Sequence, residues 1–268
     1  TEFLDYYSQG EYTDADVELI INGDFLNLLQ TDYKGHYTTV ITESIDLYKV
    51  QKIVEGHKNV FEAMKRFVAK PSKRITYVVG NHDQGLLWQK TREYLDGACG
   101  TRINFKNIVY FFDGIHIEHG HQHEAANRIN PKKFFLKQDI IEPILNLPWA
   151  SHFFINFVLK IKATMPHVDK VRPFHSFIRW GLMHEFTFSV KTIIRFLWYF
   201  VASGFKPRTK RRQFSLKNSL EVIKESAIFP DLEIAARKIL IDDRVHTVIF
   251  GHTHVYLYRQ WGNNKEYL

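Results

Sequence analysis

The strongest constraint on the fold is a pattern that recurs four times along the chain: a short β-branched or aromatic run that stops abruptly at glycine and Asp, Asn or His. Residues 17–21 lead into Asn22-Gly23-Asp24, and residues 75–79 lead into Gly80-Asn81-His82-Asp83. Residues 108–112, a turn at Asp113-Gly114 and residues 115–117 lead into Glu118-His119-Gly120-His121. Residues 247–250 lead into Gly251-His252-Thr253-His254. Runs of this kind predict buried strands, and polar loops at strand C-terminal ends are where α/β sheets build sites. Residues 45–68 have helical spacing, with Ile53, Phe61, Met64 and Phe67 set to face the sheet, so strand, helix, strand follows. Residues 256–261 and Tyr267, around Gly262-Asn263-Asn264, predict a closing hairpin.

A chain of 268 residues that is 45% hydrophobic has enough apolar surface for a sizeable core, which excludes a disordered protein. The single cysteine, Cys99, excludes an internal disulfide and a cysteine-rich zinc site. It favours a reducing, cytoplasmic setting, and any metal must be held by His, Asp, Asn or Glu. The most apolar stretch, 186–205, is interrupted by Lys191 and Arg195, so no membrane-spanning helix is expected. The first residues show neither an initiator methionine nor a basic segment followed by an apolar one, so no secretory signal is expected.

Charge divides the chain. Residues 125–241 hold 20 Lys and Arg against 8 Asp and Glu, or +12, which leaves −5 for the rest of a chain whose total is +7. We therefore expect a core of residues 1–124 and 242–268 carrying a basic, aromatic helical cap, 125–241. Pro143, Pro148, Pro166 and Pro173 punctuate several short helices there, and 206–217 is a basic loop. Leu216, Leu220 and Ile223, then Leu232, Ala235, Ala236, Ile239 and Leu240, repeat at helical intervals, with Pro230-Asp231 as a start signal for the second set. The stripe Phe186, Val190, Ile193, Ile194, Leu197 and Val201 reads first as a helix's buried face. With Arg195, Lys206, Arg208, Arg211 and Arg212 it also suggests a pocket or a surface for peripheral membrane contact.

A pair of divalent ions needs a carboxylate able to bridge them, neutral imidazoles and amide oxygens, and an open position. The four turns supply that inventory. Asp24 offers one oxygen to each ion, Asn81 a neutral oxygen, and His119, His252 and His254 ring nitrogens. His82 belongs at the edge of the site, where it would donate a proton to a leaving oxygen, its ring oriented by Asp83. His121 and His123 read as supporting or surface residues, as do His152, His167, His175 and His184 in the cap.

Gly23-Asp24, Gly80-Asn81-His82-Asp83, His119-Gly120 and Gly251-His252-Thr253-His254, in this order and at strand ends, resemble the calcineurin-like metallophosphoesterase family. The resemblance covers residues 17–124 and 245–258. It implies an α/β fold, a four-layer α/β/β/α sandwich with the helical cap as an insertion. It further implies a dinuclear centre of manganese, iron or zinc whose bridging hydroxide attacks phosphorus. Asp24 would bridge, Asn81, His119 and His252 would bind one ion, His254 the other, and His82 would stabilise the transition state or protonate the leaving group. Two departures stand out. The family's opening Asp-x-His strand has no counterpart before Asp24, which reads as a chain beginning after that strand, and Asn27 stands where many members have an acid. A helical lid over such a site is similar to the UDP-diacylglucosamine pyrophosphatases, which commonly have Arg where this chain has His82. The expected substrate is a phosphomonoester, phosphodiester or pyrophosphate, an amphiphilic one included. The alternatives are a non-catalytic scaffold that binds a partner or membrane through its cap, and a nuclease acting on nucleic acid.

Overall fold

The computed structural model describes residues 1–137, 140–162, 165–166, 179, 183–205, 232–262 and 264–268. The basic run 206–217, the spacing of Leu216, Leu220 and Ile223, the Pro230-Asp231 signal, Pro173, Asn263, His167 and His175 lie outside the described residues.

The chain is a mixed α/β protein with one parallel sheet and one mixed sheet. Strands β1 (Val17–Asn22), β2 (Lys73–Val78) and β3 (Asn104–Lys106) form the parallel sheet in that order, with Leu19 opposite Ile75 and Ile21 opposite Tyr77. β2 is central and buried at every position except Arg74 because both of its faces are covered. The mixed sheet runs β4 (Val109–Phe112), β5 (Ile115–Glu118), β8 (Thr247–Ile249), β10 (Lys265–Tyr267), β9 (Arg259–Trp261). β4 and β5 form the expected hairpin, and Asp113 and Gly114 both have positive φ, as a tight two-residue turn requires. The closing hairpin is present as β9 and β10.

One long helix was expected across residues 45–68; two are present. α2 (Glu43–Gly56) and α3 (Lys58–Val68) meet at His57, whose φ of −125° and ψ of 36° leave the helical region just after Gly56. Glycine weakens a helix interior, and the break lets α3 turn its Phe61, Met64 and Phe67 face into the core while Ile53 of α2 packs partly buried beside it. A further helix, α4 (Gln89–Cys99), adds Leu95 and Cys99 to the same core.

The two sheets are tied by polar contacts. Tyr110 Oη donates to Glu18 Oε2 at 3.1 Å, and Asn22 Nδ2 donates to the Glu118 carbonyl at 3.1 Å. These bonds set the C-terminal ends of β1 and β5 side by side.

Within the range read as the cap lie a small hairpin of β6 (Phe135–Leu136) and β7 (Ile144–Leu145) and the short helices α5 (Trp149–Phe153) and α6 (Leu159–Lys162). Leu145, Leu147, Ile155 and Leu159 pack on Leu29, Ile41 and Trp88. A 20-residue helix, α7 (Phe186–Phe205), follows. The expected buried stripe on α7 is present only in part: Phe186, Ile194 and Leu197 are more than half exposed, Val190 and Ile193 are half-buried, and Ser189 is buried among the described side chains of the helix. The helix is apolar on nearly every side, so periodicity alone could not choose the face that packs. The last helix, α8 (Leu232–Ile239), packs Leu232 and Ala236 against Val245, Val248 and Tyr267 of the mixed sheet. Among the described residues no helix is long and apolar enough to cross a membrane.

Candidate metal centre

Each expected ligand turn occupies the end of a strand. Asp24 follows β1, Asn81 and His82 follow β2, His119 follows β5, and His252 follows β8. Asp24, His119 and His252 form a cluster able to hold a metal ion, their ligand atoms all within 4.8 Å of one another. Asp24 and His252 have φ of 56° and 68°, a region that L residues seldom occupy, so the surrounding contacts must hold them there. A Cβ on Gly80 would lie 2.2 Å from Asp24 Oδ1, and one on Gly23 would lie 2.4 Å from His119 Nδ1. These two glycines let the three loops close on one point.

His119 shows what the cluster lacks internally. Its Nδ1 is 2.7 Å from the Asn22 carbonyl, so Nδ1–H donates there and Nε2 is left to face Asp24. Nε2 lies 3.0 Å from Asp24 Oδ2, yet it is buried without an aligned hydrogen bond. Two lone-pair atoms this close need a positive charge: a proton on His119 or a bound cation. Burial alone would push the Asp24 carboxyl up, but the His119 and His82 rings and the His82 amide, which donates to Oδ1 at 2.8 Å, hold it well below the usual carboxylate range. Burial also opposes charge on His119, and Asp24 overcomes it, raising that ring's affinity for a proton.

Asn81 stands on the second turn and is linked to His252 through Asn127 and Glu124. It is buried, its Nδ2 donates to Asn127 Oδ1 at 3.3 Å, and its Oδ1 has no hydrogen-bond partner. Asn81 lies between Gly80, against which Asp24 Oδ1 packs, and His82, whose amide bonds to Asp24, and a buried amide oxygen left open on that turn has the chemistry of a cation ligand. His254 is exposed and stands apart from the cluster of three, close enough to act electrostatically on His82.

His82 and Asp83 divide their work differently from the expectation that Asp83 orients the His82 ring. The ring is held instead by Asn27, whose Oδ1 lies 2.7 Å from Nδ1. Asp83 is fully buried and faces the other way. It accepts from the amides of Phe25, Leu26 and Asn27 at 3.2, 3.2 and 3.1 Å and from Tyr77 Oη at 2.7 Å. Burial, and then the Asp24 charge, push its carboxyl up to about 7 against those donors. Burial lowers the His82 ring's affinity for a proton, with Asp24 opposing.

Two participants escaped the sequence reading. Glu124 Oε2 lies 2.9 Å from His252 Nε2, and Asn127 donates to the same oxygen. Their one signal is position, in a polar run that continues directly from His119-Gly120-His121. His121 is buried with its ring centre 5.5 Å from that of His119, and burial lowers its pKa to about 3, so it stays neutral. His123 contacts Glu118 rather than the cluster. The chain matches no family model, no curated protein and no solved structure.

Proposed function

We propose that the chain is a metal-dependent hydrolase of phosphoric esters or pyrophosphates, related to the calcineurin-like metallophosphoesterases. The observation that carries this reading is the convergence of Asp24, His119 and His252 from the ends of strands in both sheets, with the unpartnered amide oxygen of buried Asn81 on the neighbouring turn. The donors fit a divalent cation: the 3.0 Å between His119 Nε2 and Asp24 Oδ2 is the separation of two neighbouring ligands each about 2.1 Å from one ion. The packing of α2–α4 on one sheet and α8 on the other supports a four-layer α/β/β/α sandwich.

In this reading Asp24, Asn81, His119 and His252 hold one ion of manganese, iron or zinc, and His254 with Asp24 begins the site of a second. The cations, when bound, supply Lewis-acid activation of the phosphoryl group. The chain supplies the rest. Asp83 grips the 25–27 loop and so fixes the backbone that follows Asp24. His82 gives its Nδ1–H to Asn27, which leaves Nε2 to carry a proton to the leaving oxygen; the anionic phosphate offsets the burial that otherwise disfavours the charged ring. With manganese, purified protein is expected to hydrolyse an aryl phosphate or phosphodiester. Asp24→Ala or His252→Ala should lower kcat/KM by about 1,000-fold or more, which corresponds to about 4 kcal/mol of transition-state stabilisation. Unchanged turnover in both variants contradicts the reading.

The partner that α7 suits is amphiphilic. Phe186, Ile194, Leu197 and Trp198 are exposed beside exposed Lys191 and Arg195, and the helix carries no acidic side chain. Apolar and cationic groups on one helix favour an anionic lipid surface, and with it a phosphate ester bearing an acyl or similar tail. Nucleic acid is the less favoured substrate because the exposed face mixes cations with large aliphatic side chains rather than forming a cationic track.

A further inference from the structure

We propose that Glu124, locked by Asn127, is the positioning residue that joins the second and fourth ligand turns by fixing which ring nitrogen of His252 faces the cation. The inference rests on the metal-site reading above. Asn81 Nδ2 donates to Asn127 Oδ1 at 3.3 Å; Asn127 Nδ2 donates to Glu124 Oε2; and the same oxygen lies 2.9 Å from His252 Nε2. The chain of contacts therefore runs from the loop after β2 to the loop after β8 through a segment that belongs to neither.

The chemistry of each member follows from its valence. A carboxylate oxygen is an acceptor only, so at 2.9 Å from Glu124 we assign the ring proton of His252 to Nε2, which leaves Nδ1 as the unprotonated nitrogen for a metal. His119 is fixed in the opposite sense by the Asn22 carbonyl, with Nε2 free. Asn127 must accept at one end and donate at the other, which a short side chain achieves only as an amide. Its Oδ1 accepts from Asn81 Nδ2, which satisfies that end of the Asn81 amide and leaves Asn81 Oδ1 buried without a hydrogen-bond partner. Hydrogen-bonding a ligand imidazole's second nitrogen to a carboxylate orients the ring and raises its basicity.

The segment is itself held. The amides of Asn127 and Arg128 bond to the Glu124 carbonyl at 3.2 and 2.9 Å, and the Ala150 amide at the start of α5 bonds to the Ala126 carbonyl at 2.9 Å. The clamp is thus anchored to the first helix of the cap range, which gives that range a direct mechanical connection to the ligands.

The test uses the full chain and two readouts. In metal-free protein, ring ¹⁵N NMR, with His252 assigned by its loss in His252→Gln, should show the Nε2–H tautomer; Glu124→Ala should lose that signature and Glu124→Gln, which keeps an acceptor oxygen, should retain it. Calorimetric titration with Mn²⁺ should show affinity falling about 10- to 100-fold in Glu124→Ala and Asn127→Ala and recovering to within about 5-fold in Glu124→Gln. A Glu124→Ala protein that binds Mn²⁺ like the parent, or that keeps the Nε2–H signature, overturns the proposal. If the parent itself takes up no Mn²⁺, the functional reading fails and the tautomer measurement still decides the role of Glu124. Should Glu124→Ala not fold, Asn127→Ala against Glu124→Gln carries the same comparison.

Discussion

Gly80 makes a sharp point about Asp24. Its missing side chain is the space that Asp24 Oδ1 occupies, and an added methyl would sit 2.2 Å from that oxygen and 2.5 Å from the Asp24 amide. Gly80→Ala should therefore displace Asp24, lower Mn²⁺ affinity by at least about 10-fold and cost about 1–3 kcal/mol of stability through overpacking. Calorimetry and urea denaturation check the two effects, and parent-like values in both contradict the close approach. The candidate ligands Asp24, His119 and His252 could be read from the sequence because each stands next to a glycine at the end of a strand-forming run. Glu124 and Asn127 could not. They lie in a loop without periodicity, and their roles exist only because Asn81 and His252 arrive from turns 171 residues apart. Asn27 shows the same limit: in the sequence it stands out only as a departure from the acid of the resembled family, and only the fold reveals that it, rather than Asp83, holds the His82 ring.

Helix α2 carries a buried charge pair that the metal site does not use. Asp46 and Lys49 are both buried, 3.9 Å apart, on the side of α2 that meets Gly85 and Leu28. Burial pushes the Asp46 carboxyl up to about 7, with Lys49 pulling the other way. An unfolded carboxyl titrates near 3.9, so the folded state holds the proton more tightly over that interval. The contribution of Asp46 to stability is then greatest below about pH 4, falls as pH rises toward about 7 by at most about 1.4 kcal/mol per pH unit, and is flat above. Asp46→Asn should reduce the slope of denaturation midpoints across the interval by this share, leaving that of Asp83; an unchanged slope contradicts the assignment. The positions of β1, β2, β4, β5 and β8 were visible in the sequence to within about two residues because each is a short β-branched or aromatic run bounded by a turn, whereas β3, β6 and β7 are too short to show a pattern. The break between α2 and α3 and the outward face of α7 were not, since the first depends on one backbone angle at His57 and the second on packing around an almost wholly apolar helix.

The two sheets bring together residues that the chain separates by more than two hundred positions, and the cap range both clamps the site through Ala126 and presents α7 outward. If α7 meets a lipid surface, the protein should sediment with phosphatidylglycerol vesicles and far less with neutral ones. Lys191→Glu and Arg195→Glu should each weaken that binding by about five-fold or more, since a basic residue near an anionic bilayer contributes about 1 kcal/mol. Equal sedimentation of all three proteins contradicts the surface. The metal site admits a more direct examination: anomalous diffraction at the manganese edge from crystals soaked in Mn²⁺. The account requires a peak about 2.2 Å from the donor atoms of Asp24, Asn81, His119 and His252. Saturated crystals with no peak among those four side chains, or with manganese bound only elsewhere, would contradict it.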